Sequence, residues 1–492
     1  MDKPINGALR KLAICAGTGG ALLPLLLFAL WGLALPDRTA PVGDGYFAAE
    51  DLNGEWDDAV TRCVSLTESK SYVNSDVFFE NGEFLFLRQG VYVVSGTLTD
   101  GALVIHAGRA DTVRIILSGV TLHCNDNAAI RVEQAGKVIL TLAPGAENRV
   151  SSGGDFSRQA LKEKWNGAIC AKSDLTINGG GALVVNADYG HGVSCDGNLR
   201  VTGGDITVNA ASDGFHAHES VRITEGADKT RLSVTTGTAK GCQGIEANAF
   251  GGFIYVAGGT VSILKSCEGM EAAAVTIAGG DVDIRAADDG INASDSKFDP
   301  NKSSESKNPA VQVRVTGGSL TIQDIGGADV DGIDSNHSVF IDGGETRVSV
   351  RAGSTHFAVD HGRSGVFEIN GGKLIACGGG ADANTIGFVG NSAESLPSLS
   401  SKSPSITMYL LRAAPAGSQV ILRSSNGKEL LQWDSVPRQF TSVTVSAPEM
   451  KIGKSYILTI GETKKLILLQ EKRVILKDWD IPDYDSPALA ER

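Results

Sequence analysis

A short phrase recurs through the middle of the chain: a polar residue, a glycine, then an apolar residue. It reads Asn166-Gly167, His191-Gly192-Val193, Asp213-Gly214-Phe215, Gln243-Gly244-Ile245, Glu268-Gly269-Met270, Asp289-Gly290-Ile291 and Asp331-Gly332-Ile333. Successive glycines are 25, 22, 30, 25, 21 and 42 residues apart, the last interval lengthened by a polar insertion. A period in the twenties that repeats this often belongs to a stack of similar units, which cannot bury their apolar faces singly. In most copies the residue two after the glycine is also polar: Ser194, His216, Glu246, Glu271, Asn292 and Asp334.

The second half of each repeat has its own signature, strand, Gly-Gly, strand. Leu199-Arg200-Val201-Thr202-Gly203-Gly204-Asp205-Ile206-Thr207-Val208 is one copy, and 275–284, 313–322, 339–348 and 367–375 repeat it. Alternation on both sides of the glycines points one set of aliphatics inward. The paired glycines permit a positive-φ corner that turns the chain without a loop. One copy is degraded, with Ala-Asp-Lys-Thr inserted after Gly226. Coils of some 21 to 28 residues with short strands and glycine corners predict an all-β chain, a right-handed parallel β-helix (solenoid). After a serine-rich break at 392–404, the strand-like runs to residue 469 predict a small C-terminal antiparallel β unit that caps the last coil.

The remaining boundaries follow from composition. Lys3, Arg10 and Lys11 precede an apolar run over residues 12–35, which reads as a signal peptide or a single membrane anchor within residues 1–38. The basic flank places everything after it outside the cell, extracellular or on the cell surface. Residues 39–71 read as a linker with a partial helix, 72–391 as the solenoid, 392–404 as a second linker, 405–469 as the C-terminal unit and 470–492 as a frayed, charged tail. A formal net charge of −13 argues against nucleic acid, and leaves the membrane as a partner only through the N-terminal segment. Any anionic ligand would need a divalent cation as mediator. Cys242 and Cys267 precede the repeated phrase one coil apart, and a buried cysteine ladder is the expected arrangement, ahead of a disulfide.

Gly90-Val91-Tyr92-Val93-Val94-Ser95-Gly96-Thr97-Leu98, Ala146-Glu147-Asn148 and the Gly-Ile-Glu-Ala, Gly-Met-Glu-Ala and Asp-Gly-Ile-Asn-Ala phrases resemble the bacterial carbohydrate-binding β-helix proteins. These are exported surface proteins similar in fold to pectate lyases, which bind cellulose and acidic pectin and hold calcium. The resemblance spans roughly residues 72 to 469. It implies a β-helix fold, calcium as the cofactor and a polysaccharide as the partner; a non-catalytic, monomeric protein is the expectation that goes with it.

The positions that best match this family are Glu246, Glu271, Asn292 and Asp334 in one column, and Glu268, Asp289 and Asp331 in the column beside it. With coils about 5 Å apart, so many carboxylates repel one another until a cation neutralises them. A solvated acidic face, or side chains that cap turns through Asx-type hydrogen bonds, is the competing explanation. The early coils carry Asn166, Cys170, His191 and Ser194 where the later ones carry carboxylates, and read as structural. His191, Cys195, His216 and His218 fall on adjacent coils, but nothing in their spacing enforces a tetrahedral metal site, so a solvated histidine face is expected.

Two other functions compete. A polysaccharide lyase or glycoside hydrolase would use paired carboxylates, or calcium with a basic residue such as Arg285 or Arg314. Gly190-His191-Gly192 and Asp288-Asp289 echo polygalacturonase phrases, yet stand about four coils, some 20 Å, apart. A structural adhesin or stalk would need no site at all. Tyr189, Phe215 and Tyr255 are the candidates for stacking on sugar, although core packing is the commoner fate of such rings.

Overall fold

The computed structural model describes residues 45–66, 76–295, 306–327, 330–353, 355–379 and 395–484. The apolar run at 12–35 and most of the polar insertion after Asp295 lie outside the described residues. Among the described residues, no helix is long and apolar enough to cross a membrane.

The protein is all-β, with two large sheets whose strands run mostly parallel. From Gly167 onward the strands recur in threes: Gly167–Ala171, Asp174–Gly179 and Ala182–Ala187 are followed by His191–Cys195, Asn198–Val201 and Gly204–Ala210. Each strand pairs in parallel with the one three places on, so a triplet lies directly over its predecessor. First strands of the triplets build an 11-stranded sheet; second and third strands enter a 24-stranded sheet. The strand, Gly-Gly, strand signature is the second and third strand of a triplet. Its second glycine makes the expected corner, at φ +100° in Gly204, +83° in Gly280 and +72° in Gly318.

The core is a set of stacked aliphatic ladders. Val193, Phe215, Ile245, Met270, Ile291 and Ile333 succeed one another on the first strands and all are fully buried. The glycines of the repeated phrase are required for a different reason from the corner glycines. A Cβ on Gly214 would stand 2.2 Å from Val234 Cγ1, on Gly269 2.3 Å from Ile284 Cγ2, and on Gly332 2.1 Å from Val348 Cγ1. Each of these aliphatics comes from the third strand of the same triplet. The glycine is the place where the first strand approaches that side chain too closely for any methyl group.

The described part of the segment read as a linker belongs to the fold. Helix Ala49–Leu52 lies on the 24-stranded sheet, and strand Thr61–Leu66 pairs in parallel with Gly90–Leu98. The carboxylate of Asp51 is buried, 2.6 Å from Lys137 Nζ, and accepts the Thr176 hydroxyl at 2.5 Å. The degraded repeat receives this helix: the Ala227 N–H donates to Leu52 O at 2.8 Å.

At the other end, Phe440–Ser446 runs antiparallel between Lys373–Gly378 and Ser405–Ala414, and so carries the large sheet on past the last triplet. A separate four-stranded antiparallel sheet (Val420–Ser424, Glu429–Trp433, Ser455–Ile460, Thr463–Leu468) shares with these strands a second apolar core. The tail is not frayed at its start. Arg473–Lys477 adds a parallel strand to Ser405–Ala414, because Val474 can be buried there. Cys242 and Cys267 stack as neighbours, with the Cys267 N–H on Cys242 O at 2.9 Å, and both thiols are free.

Candidate functional site

The two polar columns exist as continuous ladders on the 11-stranded sheet. Strand register places Arg131, Cys170, Ser194, His216, Glu246, Glu271, Asn292 and Asp334 one above the next. Backbone hydrogen bonds set a second ladder beside it: the N–H of Gly192 donates to Asp213 O, Gly214 to Gln243 O, Gly244 to Glu268 O, Gly269 to Asp289 O and Gly290 to Asp331 O. That aligns His191, Asp213, Gln243, Glu268, Asp289 and Asp331. Asn166 does not begin this ladder, because Gly167 rather than Asn166 stands opposite His191.

All seven acidic or amide positions singled out above therefore lie in the two columns, on successive strands of the 11-stranded sheet. None sits on a freely solvated face. Glu246 and Glu271 are buried, and Glu268, Asp289, Asn292, Asp331 and Asp334 are half-buried. Some side chains also brace the turns. Asp213 Oδ1 accepts the Gln243 N–H at 2.9 Å, Asp289 Oδ1 the Asp331 N–H at 2.8 Å, and Asp331 Oδ1 the Phe357 N–H at 2.7 Å. The turn-capping role is real, and it occupies one oxygen of each carboxylate.

The later end of the columns concentrates charge. Burial, followed by the charges of Asp334 and Asp331, holds the Asp289 carboxyl well above the usual carboxylate range. Oxygens of Asp331, Asp334 and Asp360 lie within 4.8 Å of one another. Between Glu271 and Asp334, the Asn292 Oδ1 is buried with no hydrogen-bond partner. Asp360 was not visible in the repeat because Ala358 stands where the glycine should be, yet Ile333 N–H on Ala358 O carries the ladder on to it.

The early end differs from the expectation of a solvated histidine face. His191 Nδ1 is 3.0 Å from Asp213 Oδ2, and His216 Nδ1 is 2.8 Å from the same oxygen and 2.9 Å from Glu246 Oε2. The two imidazoles stack with centroids 4.2 Å apart. They converge because His191 precedes its glycine and His216 follows the next one, so they occupy different columns on adjacent coils and flank Asp213. Burial favours the neutral His216 ring, but the hydrogen bonds and charges of Asp213 and Glu246 outweigh it and lift its pKa to about 9. Cys195 is not part of the group: its thiol faces inward and donates to Ser173 O at 3.0 Å. His218 points away, to Asn248 Oδ1 at 3.1 Å.

Of the three aromatic candidates, Phe215 is in the core and Tyr255 is covered by Tyr46, stacked at 4.8 Å. Tyr189 remains exposed, two residues before His191. Arg285 and Arg314 are on the 24-stranded sheet rather than beside the columns. Arg285 pairs with Asp283 at 3.5 Å, while Arg314 pairs with Asp342 and lies over the Phe340 ring.

The sequence profile of a family described as carbohydrate-binding domain-containing protein matches residues 83–355, more than half of the chain. The chain belongs to that family. The matched residues span both columns from Arg131 to Asp334 and stop short of Asp360. A carbohydrate-binding domain-containing protein of Acetivibrio thermocellus is 33% identical over 129 residues, 26% of this chain and 45% of the relative. The chain therefore matches less than half of that relative's length. A solved structure of a polysaccharide lyase-like protein from C. thermocellum, a gadolinium derivative, aligns at 24% identity with a TM-score of 0.39. That alignment covers 64% of this chain and 99% of the other.

Proposed function

We propose that this carbohydrate-binding domain-containing protein is an exported, non-catalytic, monomeric binder of acidic or plant-type polysaccharide (pectin, cellulose) that works through calcium. In this reading the stacked triplets are turns of a right-handed parallel β-helix, and residues 1–38 direct the rest of the chain to the cell surface or beyond. The observation that carries it is the orphaned Asn292 Oδ1, buried among the carboxylates of the two columns. A buried polar atom without a partner is costly, and a hard cation among oxygens would satisfy it.

The donor set fits calcium. Glu268, Glu271, Asp289, Asn292, Asp331, Asp334 and Asp360 offer oxygens, the ligands calcium takes, and of these Asp331, Asp334 and Asp360 lie close enough to share one ion. Glu246 is turned to His216 instead. Bound calcium would supply positive charge for the uronate groups of an acidic polysaccharide. The protein's own part is to hold the carboxylates at fixed coil spacing, and to offer Tyr189 as a platform for a sugar ring. Support for a binding role over a lyase comes from Arg285 and Arg314, which are engaged on the opposite sheet.

Retention on insoluble cellulose and on calcium pectate, with and without chelator, tests this. Retention on pectate that chelator abolishes is expected. No retention in either condition overturns the binding reading, and rising absorbance of unsaturated uronate from polygalacturonate overturns the non-catalytic one.

A further inference from the structure

We propose that His191, Asp213 and His216, with Glu246 beside His216, form a separate metal centre at the early end of the columns, one whose three protein ligands take zinc in preference to calcium. The four residues are staggered over three successive triplets, with Asp213 and His216 on the middle one. His191 and Asp213 are successive members of one column, His216 and Glu246 successive members of the other. Their side chains are only 13%, 2%, 15% and 7% exposed, so the group is a shielded pocket and not a surface cluster.

The spacing of the donor atoms suits a tetrahedral ion. Bonds of about 2.0–2.1 Å to nitrogen and oxygen place neighbouring ligands of a tetrahedron roughly 3.3 Å apart. The gaps here are 3.0 Å for His191 Nδ1 to Asp213 Oδ2, 2.8 Å for His216 Nδ1 to Asp213 Oδ2, and 2.9 Å for His216 Nδ1 to Glu246 Oε2. The donor atoms of His191, Asp213 and His216 all lie within 4.8 Å of one another, and a zinc ion with three protein ligands keeps its fourth position for water. Both imidazoles present the same nitrogen, Nδ1, to the same carboxylate oxygen. A divalent ion between them would replace these contacts, and would take the place of the Asp213 N–H that stands 3.3 Å from His191 Nδ1.

Outer contacts fix the ligands. Asp213 is held by its other oxygen, which accepts the Gln243 N–H at 2.9 Å. The far nitrogen of His216, Nε2, is 3.0 Å from the Asn248 side-chain amide, which itself reaches His218. An amide can present either its oxygen or its nitrogen, and with the oxygen turned to His216 it accepts the Nε2–H and leaves Nδ1 for the metal. This is the support that metal-bound histidines ordinarily have. Selectivity follows from the donor atoms, since imidazole nitrogen suits zinc and is foreign to calcium. The centre does not depend on calcium at the later coils, and shares no residue with the seven-oxygen set proposed there.

The test uses the full chain, stripped with chelator and titrated with Co2+ as a visible reporter. The expected result is a tetrahedral Co2+ absorption band that saturates, disappears on adding Zn2+ and persists in a large excess of Ca2+. His191→Gln is expected to weaken binding at least about tenfold, the scale that even outer-contact changes reach. Asp334→Asn is expected to leave the band intact while removing the calcium response. No band in the stripped parent, displacement by Ca2+ as readily as by Zn2+, or unchanged affinity in His191→Gln would overturn the proposal. The parent titration decides it even where a variant fails to fold. Zinc binding without any calcium response would sink the calcium reading alone.

Discussion

Asp289 and Asp331 are 42 residues apart, yet Asp289 Oδ1 accepts the backbone N–H of Asp331 at 2.8 Å. The polar insertion between them leaves the ladder unbroken. One oxygen of Asp289 thus braces the next coil, while the rest of the carboxylate faces Asp331 and Asp334 at close quarters. Asp289→Asn keeps the bracing acceptor and removes the charge. The metal-free variant is expected to melt no lower than the parent, and to lose the rise in melting temperature that calcium gives the parent. At calcium concentrations a hundredfold above Kd that rise corresponds to about 2.7 kcal/mol. Calorimetry with and without calcium checks it, and an equal calcium response in both proteins would refute the assignment.

Gly269 is expected to tolerate no side chain. A Cβ there meets Ile284 Cγ2 and Gly290 O, each at 2.3 Å, and the carbonyl belongs to a ladder strand that cannot retreat. Gly269→Ala should cost roughly 1–3 kcal/mol, the usual penalty of overpacking. The double variant Gly269→Ala with Ile284→Ala, which removes the offending Cγ2, should cost less than the sum of the two single changes. Urea denaturation measures both, and a single variant as stable as the parent would show that the close approach is not a constraint.

These glycines are why the architecture was readable in advance. A position that forbids a methyl group in every coil leaves the same letter at every period, and the polar columns on either side inherit that regularity. Convergence between columns leaves no such mark. His191 and His216 meet only because one precedes its glycine and the other follows the next, an offset that becomes contact once strand register is known. Asp360 was hidden because Ala358 breaks the phrase at the last coil. Asp51 looked like one acid in a charged linker because its partners, Lys137 and Thr176, are on distant strands.

Asp51 predicts how acid acts on the protein. Burial raises its pKa, but hydrogen bonds from Lys137 and Thr176 and the Lys137 charge outweigh this and hold it below the ordinary value of 3.8. A carboxyl depressed in the folded state stabilises the protein above its unfolded pKa, and that contribution fades as pH falls through the folded one. Asp51→Asn leaves the Lys137 ammonium with Glu50 alone, 2.8 Å away, and near neutral pH is expected to cost roughly 1.5–3 kcal/mol, the worth of a hydrogen bond to a charged group. The gap between parent and variant should narrow as pH drops below 3.8. Chemical denaturation across that window is the measurement, and a gap that stays constant throughout would contradict the pairing.

Asp324 joins the stack to its C-terminal cap, and its geometry separates charge from shape. Its carboxylate is fully buried and takes a two-pronged contact from Arg351, Nε to Oδ2 at 2.7 Å and Nη2 to Oδ1 at 2.6 Å. Arg438 of the cap stands 3.6 Å from the same group. Lysine at 351 would keep the charge but could engage only one oxygen at a time. Arg351→Lys is therefore expected to cost roughly 1.5–3 kcal/mol, the worth of a hydrogen bond to a charged group. Asp324→Asn should cost more, because it leaves two guanidinium groups facing a neutral amide. Equal stability of Arg351→Lys and the parent would mean that charge alone holds this junction, and the order of the two variants in a denaturant series decides between fork and charge.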